Sequence, residues 1–151
     1  MLAADSSRWD PMQRRASAQW RGGLKDGKGT VSAGSGALKG VGYSFSMRFE
    51  NEPGTNPEEL VAAAEASCFS MALAGDLNKA GYRPELIETK ATLDFDKTDV
   101  GWSVKSIHLD VTAKVSGADP AKFQAAAESA KKNCPISRLL NTTITMTAKL
   151  A

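Results

Sequence analysis

Between Gly54 and Tyr82 the chain shifts from short, glycine-punctuated alternation to a long apolar run broken by single polar residues. Thr55 or Asn56 can cap a helix there and Pro57 suits its first position. Glu58 and Glu59 fall in the first turn, where carboxylates meet unpaired backbone amides. Ala, Leu, Met and Glu favour helix as far as about Lys79, and Gly81 suits a left-handed cap. Leu60, Val61, Ala64, Cys68, Phe69, Met71, Ala72 and Ala74 leave only a thin polar face, so the helix is expected to be buried on most sides.

On either side of this helix the pattern is strand-like. From Ala18, Trp20, GGLKDGKGTVS and YSFSMRF read as short strands joined by tight turns, and SMRFEN keeps that character. The glycines from Gly34 to Gly42 lack the order and the βαβ setting of a dinucleotide fingerprint. After Arg83 and Pro84 the period is two: Ile87, Thr89, Ala91, Leu93 and Phe95 share one face. A second strand starts with Trp102 and Val104 and continues from Ile107 to Val115 in the opposite parity, which predicts a bulge or a strand buried on both sides. Residues 120–133 read as an amphipathic helix, Cys134 and Pro135 open a short one, and TTITMTAKL closes the chain as a strand. The order βββαββααβ, with antiparallel hairpins, predicts an α+β protein. Residues 1–16 are expected to be a flexible extension and 17–151 a single domain.

Composition narrows the functions. A chain of 151 residues can bury one core, while an enclosed active site can call on a partner subunit. Nineteen Lys and Arg against 17 Asp and Glu give a charge of +2, too near neutral for a protein that tracks phosphates, so no nucleic-acid partner is expected. Cys68 and Cys134 are too few for a disulfide scaffold and form no CxxC pair for structural zinc. The lone His108, inside a strand pattern, leaves little for a metal centre or a Ser-His-Asp triad; no metal or cofactor is expected. The first residues hold no apolar signal core. The most apolar stretch, LVAAAEASCFSMALAG, contains Glu65 and reads as too short to span a bilayer. A cytoplasmic protein with no membrane partner follows as the expectation, and in a reducing compartment its thiols stay available.

By itself Cys68 reads as an inert thiol in a core helix. Cys134 stands before Pro135 at a helix start, where unpaired amides stabilise a thiolate, with Lys131, Lys132 and Arg138 close in sequence. If the two thiols meet, one can attack a peroxide oxygen and become a sulfenic acid. The other then condenses with it to a disulfide that an external thiol reduces. Such chemistry needs a cation to hold the thiolate and an apolar pocket for an alkyl hydroperoxide. Arg48 is the best-placed arginine by chain order; Arg21, Arg83 and Arg138 stay open. Glu58 shares a helix face with Cys68 but lies about 15 Å from it along the axis, so it would have to orient a bridging group. Asp94, Asp96 and Asp99 read as turn residues, and His108 as a strand residue without catalytic duty.

Taken in order, GKGTVS, RFE, GTNPEELVAAAEASCFSMAL and NCPISRLL resemble the OsmC/Ohr family, most of all its osmotically inducible branch, over roughly residues 18–151. The resemblance implies a two-cysteine peroxidase that reduces organic hydroperoxides and, more weakly, hydrogen peroxide. Cys68 matches the family's peroxidatic cysteine, Cys134 the resolving one, Arg48 the arginine of the branch, and Glu58 the glutamate that positions it. Glu59 is better suited to a capping box. The resemblance also implies antiparallel sheets wrapped around central apolar helices in an intertwined homodimer. Its active sites would lie at the interface, with Arg48 acting within or across chains, and an external dithiol of lipoyl type would be the reductant. The long N-terminal extension and Arg21 after Trp20 depart from the family pattern. A hydrophobic-ligand-binding module and a redox-sensing or structural stress protein are the competing readings.

Overall fold

The computed structural model describes residues 11–151. The extension expected over residues 1–16 lies outside the described residues as far as residue 10; residues 11–15 have no regular structure. The chain forms two compact units, one ending at Asn56 and the other running from Pro57 to Ala151.

The first unit is a three-stranded antiparallel sheet of β1 (Ala16–Arg21), β2 (Lys28–Ala33) and β3 (Val41–Ser44), in that spatial order. Gly29 faces Trp20 in β1 and Tyr43 in β3, and a Cβ there would sit 2.5 Å from the tyrosine ring. Its missing side chain lets the two rings meet, with centroids 5.5 Å apart. The strand expected through SMRFEN is instead a short helix, α1 (Phe45–Phe49). Ser44 ends β3 in extended geometry, and its hydroxyl accepts the Met47 N–H at 3.2 Å, turning the chain into a helix. One turn apart, the Phe45 and Phe49 rings pack at a tilt, with centroids 4.9 Å apart.

The second unit opens with α2 (Pro57–Lys79), at the bounds its pattern predicts. Then come β4 (Leu86–Thr98), β5 (Gly101–Lys114), α3 (Pro120–Asn133), α4 (Pro135–Leu139) and β6 (Thr143–Leu150). β4 and β5 pair antiparallel, and the expected bulge is present: Asp94 pairs with Ser106 and Phe95 with Val104, leaving Lys105 as the extra residue. β6 joins the other edge of β5 in parallel, a departure from the all-hairpin expectation. The crossover through α3 and α4 is long enough to carry the chain back to the starting end of β5, which a tight turn cannot do.

The register puts Leu93, Ile107 and Ile144 side by side on one face, followed by Ala91, Leu109 and Met146, and then Val111 and Ala148. Against this face α2 lays Phe69, Leu73 and Leu77, and α3 lays Phe123, Ala126, Ala127 and Ala130. Ser70 ties α2 to β4 by a 2.7 Å hydrogen bond between its hydroxyl and that of Thr89.

Burial of α2 is narrower than expected. Only Glu65, Phe69, Leu73 and Leu77, one residue every four, are buried, while Met71 is 80% exposed. A single sheet face covers only one stripe of a helix. The whole of α2 is also long and apolar enough to cross a membrane, which corrects the reading of its central stretch as too short. Its buried stripe, however, belongs to the core formed with the sheet.

At the end of α2 the Tyr82 N–H reaches the Leu77 carbonyl at 2.9 Å and the Gly81 N–H reaches that of Asn78 at 3.0 Å, with Gly81 at φ +89°. This is a Schellman ending, sealed by Tyr82 packing on the core that holds Leu77. Nothing lies within 4 Å of a Cβ placed on Gly81, so only its backbone conformation resists substitution. Gly81→Ala should therefore lower unfolding stability by about 1–2 kcal/mol in urea titration without disturbing the core.

Candidate active site

Cys68 stands in mid-helix on α2, directly before the fully buried Phe69, and is half-buried at the edge of the core stripe. Cys134 occupies the corner between α3 and α4 and is 1% exposed. Its N–H closes α3 on the Ala130 carbonyl at 3.0 Å, and its own carbonyl accepts the Arg138 N–H to begin α4. Pro135 takes the first position of α4, where no N–H is needed. Both α3 and α4 pack against α2, and the corner thereby carries Cys134 to Cys68. The two side chains hydrogen-bond to each other as free thiols.

Burial pushes the Cys68 thiol above its ordinary value, and the hydrogen bond with Cys134 pushes it further. A hydrogen bond with the Ile136 backbone works the other way, while the charges of Cys134 and Glu65 add to the rise. No cation is among these groups. The second unit thus positions Cys68 but does not itself favour the thiolate that attack on a peroxide requires.

Two further residues complete the cluster. Glu65 lies three positions before Cys68, on a neighbouring part of the α2 surface, and is fully buried. One of its carboxylate oxygens accepts the Ser137 hydroxyl at 2.5 Å; the other lies 4.0 Å from the Cys134 sulfur, positioned to accept its S–H. Ser137 in turn places its N–H 3.4 Å and its hydroxyl 3.3 Å from that sulfur. Sequence reasoning treated Glu65 as a polar interruption of an apolar run and passed over Ser137. The available signals were a charge on the core stripe of α2 and a hydroxyl three residues beyond Cys134.

The remaining candidates are placed less centrally. Glu58 lies in the first turn of α2, about 15 Å along the axis from Cys68, so the two do not meet within this helix. Arg48 belongs to the first unit. It is exposed on α1, its guanidinium 5.0 Å from the Phe49 ring centre, and it lines a hollow of about 270 Å³ with Trp20, Leu24, Tyr43, Phe45 and Phe49. Arg83 and Arg138 are exposed in the second unit and Arg21 in the first. His108 points away from the sheet face that receives α2 and α3, and bonds Thr145 at 2.6 Å. Asp94 and Asp96 serve the hairpin, accepting from Ser106 and from the Lys97 N–H.

Known proteins share this arrangement of elements. Residues 49–149 match the model of the OsmC-like protein family. Over 139 residues the chain is 44% identical to the peroxiredoxin OsmC of Escherichia coli K12, a match covering 92% of this chain and 97% of that protein. The crystal structure of the organic hydroperoxide resistance protein OhrB of Bacillus subtilis superposes with a TM-score of 0.65 at 26% identity, over 89% of this chain and 98% of that one. An OsmC-like protein of Vibrio cholerae shares the fold at a TM-score of 0.72 and 18% identity, over 92% of this chain and 100% of that one. With its paired thiols on α2 and at the α3–α4 corner, the chain belongs to the OsmC/Ohr family of redox-active, cysteine-based enzymes.

Proposed function

We propose that the chain is a thiol-dependent peroxidase that reduces organic hydroperoxides to alcohols, with Cys68 as the peroxidatic and Cys134 as the resolving cysteine. The observation that carries this reading is the contact between two free thiols on different helices, one partly accessible and one buried. Cys68 attacks the peroxide oxygen, the O–O bond breaks and the alcohol leaves. Cys68 sulfenic acid then condenses with Cys134, and an external dithiol reduces the disulfide. The names of the relatives, a peroxiredoxin and an organic hydroperoxide resistance protein, support the same assignment.

Arg48 supplies the missing cation in this reading, from the same chain or a second copy, with Glu58 orienting it. The aromatic surroundings of Arg48 suit the apolar part of an alkyl hydroperoxide. A homodimer fits the apolar α2, whose Ala63, Met71 and Gly75 are exposed in the single chain.

Fully reduced protein given one equivalent of cumene hydroperoxide should lose two thiols per chain and regain both with dithiothreitol, whereas Cys68→Ser should lose none. Survival of both thiols with the peroxide intact would refute the peroxidase reading and favour a ligand-binding module. Removing a cation that holds the thiolate lets burial raise the Cys68 pKa further. Arg48→Ala should therefore shift the pH midpoint of Cys68 alkylation upward and slow peroxide consumption at neutral pH by about 10²-fold. Arg48→Lys should recover part of the loss. An unchanged midpoint in Arg48→Ala would transfer the role to Arg21, Arg83 or Arg138.

A further inference from the structure

The buried carboxylate of Glu65 has no part in the attack on peroxide, and within its unit no lysine or arginine forms an ion pair with it. A carboxylate taken out of water without a cation is costly, and proteins keep such groups where chemistry uses them. Its two oxygens are spoken for differently. Ser137 holds one through its hydroxyl, which fixes the plane of the carboxylate, and the other faces the S–H of Cys134. The Ser137 N–H points at the same sulfur. A base and a hydrogen-bond donor thus converge on Cys134, the thiol that is itself closed off from solvent water.

We propose that Glu65 is the general base of the resolving step, accepting the Cys134 proton as this thiol attacks the oxidised Cys68. This inference rests on the peroxidase reading. As the Cys134 proton passes to Glu65, the Ser137 N–H stabilises the forming thiolate. The sulfur electron pair forms the S–S bond to Cys68, the S–O bond of the sulfenic acid breaks, and its oxygen leaves as hydroxide. Glu65 returns the proton to that hydroxide, so one water departs and the carboxylate is restored. Nothing is consumed beyond the sulfenic acid and the thiol, and the two sulfurs balance as one disulfide. Glu65 also lies close enough for its charge to act on Cys68, which places the returning proton near the leaving oxygen.

The test separates the two chemical steps in the full-length chain. Reduced wild type and Glu65→Gln are mixed with one equivalent of cumene hydroperoxide. Cys68 sulfenic acid is trapped with dimedone at intervals, and disulfide formation is followed by mass spectrometry. Glutamine can still accept the Ser137 hydroxyl but takes up no proton. Because Glu65→Gln removes a charge that disfavours the Cys68 thiolate, it should oxidise Cys68 at least as fast as wild type, accumulate the dimedone-reactive acid, and form the disulfide about 10²-fold more slowly. Glu65→Asp, which keeps the base one methylene further back, should restore part of that rate. Disulfide formation in Glu65→Gln at the wild-type rate would overturn the role. Should Glu65→Gln fail to fold, Glu65→Asp and Ser137→Ala decide: a slower disulfide step with unchanged Cys68 oxidation supports the role, and wild-type rates in both overturn it. If wild type itself yields neither adduct nor disulfide, the peroxidase reading falls together with this inference.

Discussion

The chemistry of this chain depends on how the α3–α4 corner packs against the middle of α2. Cys68 and Cys134 are 66 positions apart in sequence, and no local structure could bring them together. The sheet buries one stripe of α2 through Phe69, Leu73 and Leu77, and buries α3 through Phe123, Ala126, Ala127 and Ala130. With both helices seated on the same face, the chain turning at Cys134 and Pro135 has to pass α2 at the level of Cys68. Each core leucine is worth roughly 2–5 kcal/mol against truncation to alanine, so the thiols are held together by far more than their own contact.

That packing also sets the electrical character of the site. Within a covered corner, burial first, and then the neighbouring Cys134 and Glu65, favour the neutral form of Cys68. The second unit therefore brings the two thiols together, while none of the groups that act on Cys68 there is a cation. Beyond the stripe it buries, α2 is still apolar, and in the proposed homodimer that remaining surface is the face a second copy covers.

Much of this was readable in the chain. Proline followed by two glutamates at the start of α2 and Gly81 at its end are signals that act within one helical turn, which sequence displays directly. The parity change between Val104 and Ile107 located a real bulge, because the side-chain period in a strand is fixed. Three features escaped for physical reasons. The five residues of α1 have no periodicity to show, and what makes them helical is one hydrogen bond to Ser44. The parallel direction of β6 is set by the path of the crossover, which strand composition does not encode. Glu65 registered only as a polar interruption, because a charge in an apolar run carries no mark of its partners; only the fold brings Ser137 to it from 72 positions away.

The claim on which the rest stands is that Cys68 and Cys134 of one chain become joined through turnover. Peptide mapping without reduction, after a single exposure to an organic hydroperoxide, tests it most directly. The account requires one dominant cross-linked peptide pair holding Cys68 and Cys134, formed at a rate independent of protein concentration and absent after dithiothreitol. Sulfinic or sulfonic acid on Cys68 with Cys134 still a free thiol, or a link formed only between like cysteines of two chains, would contradict it.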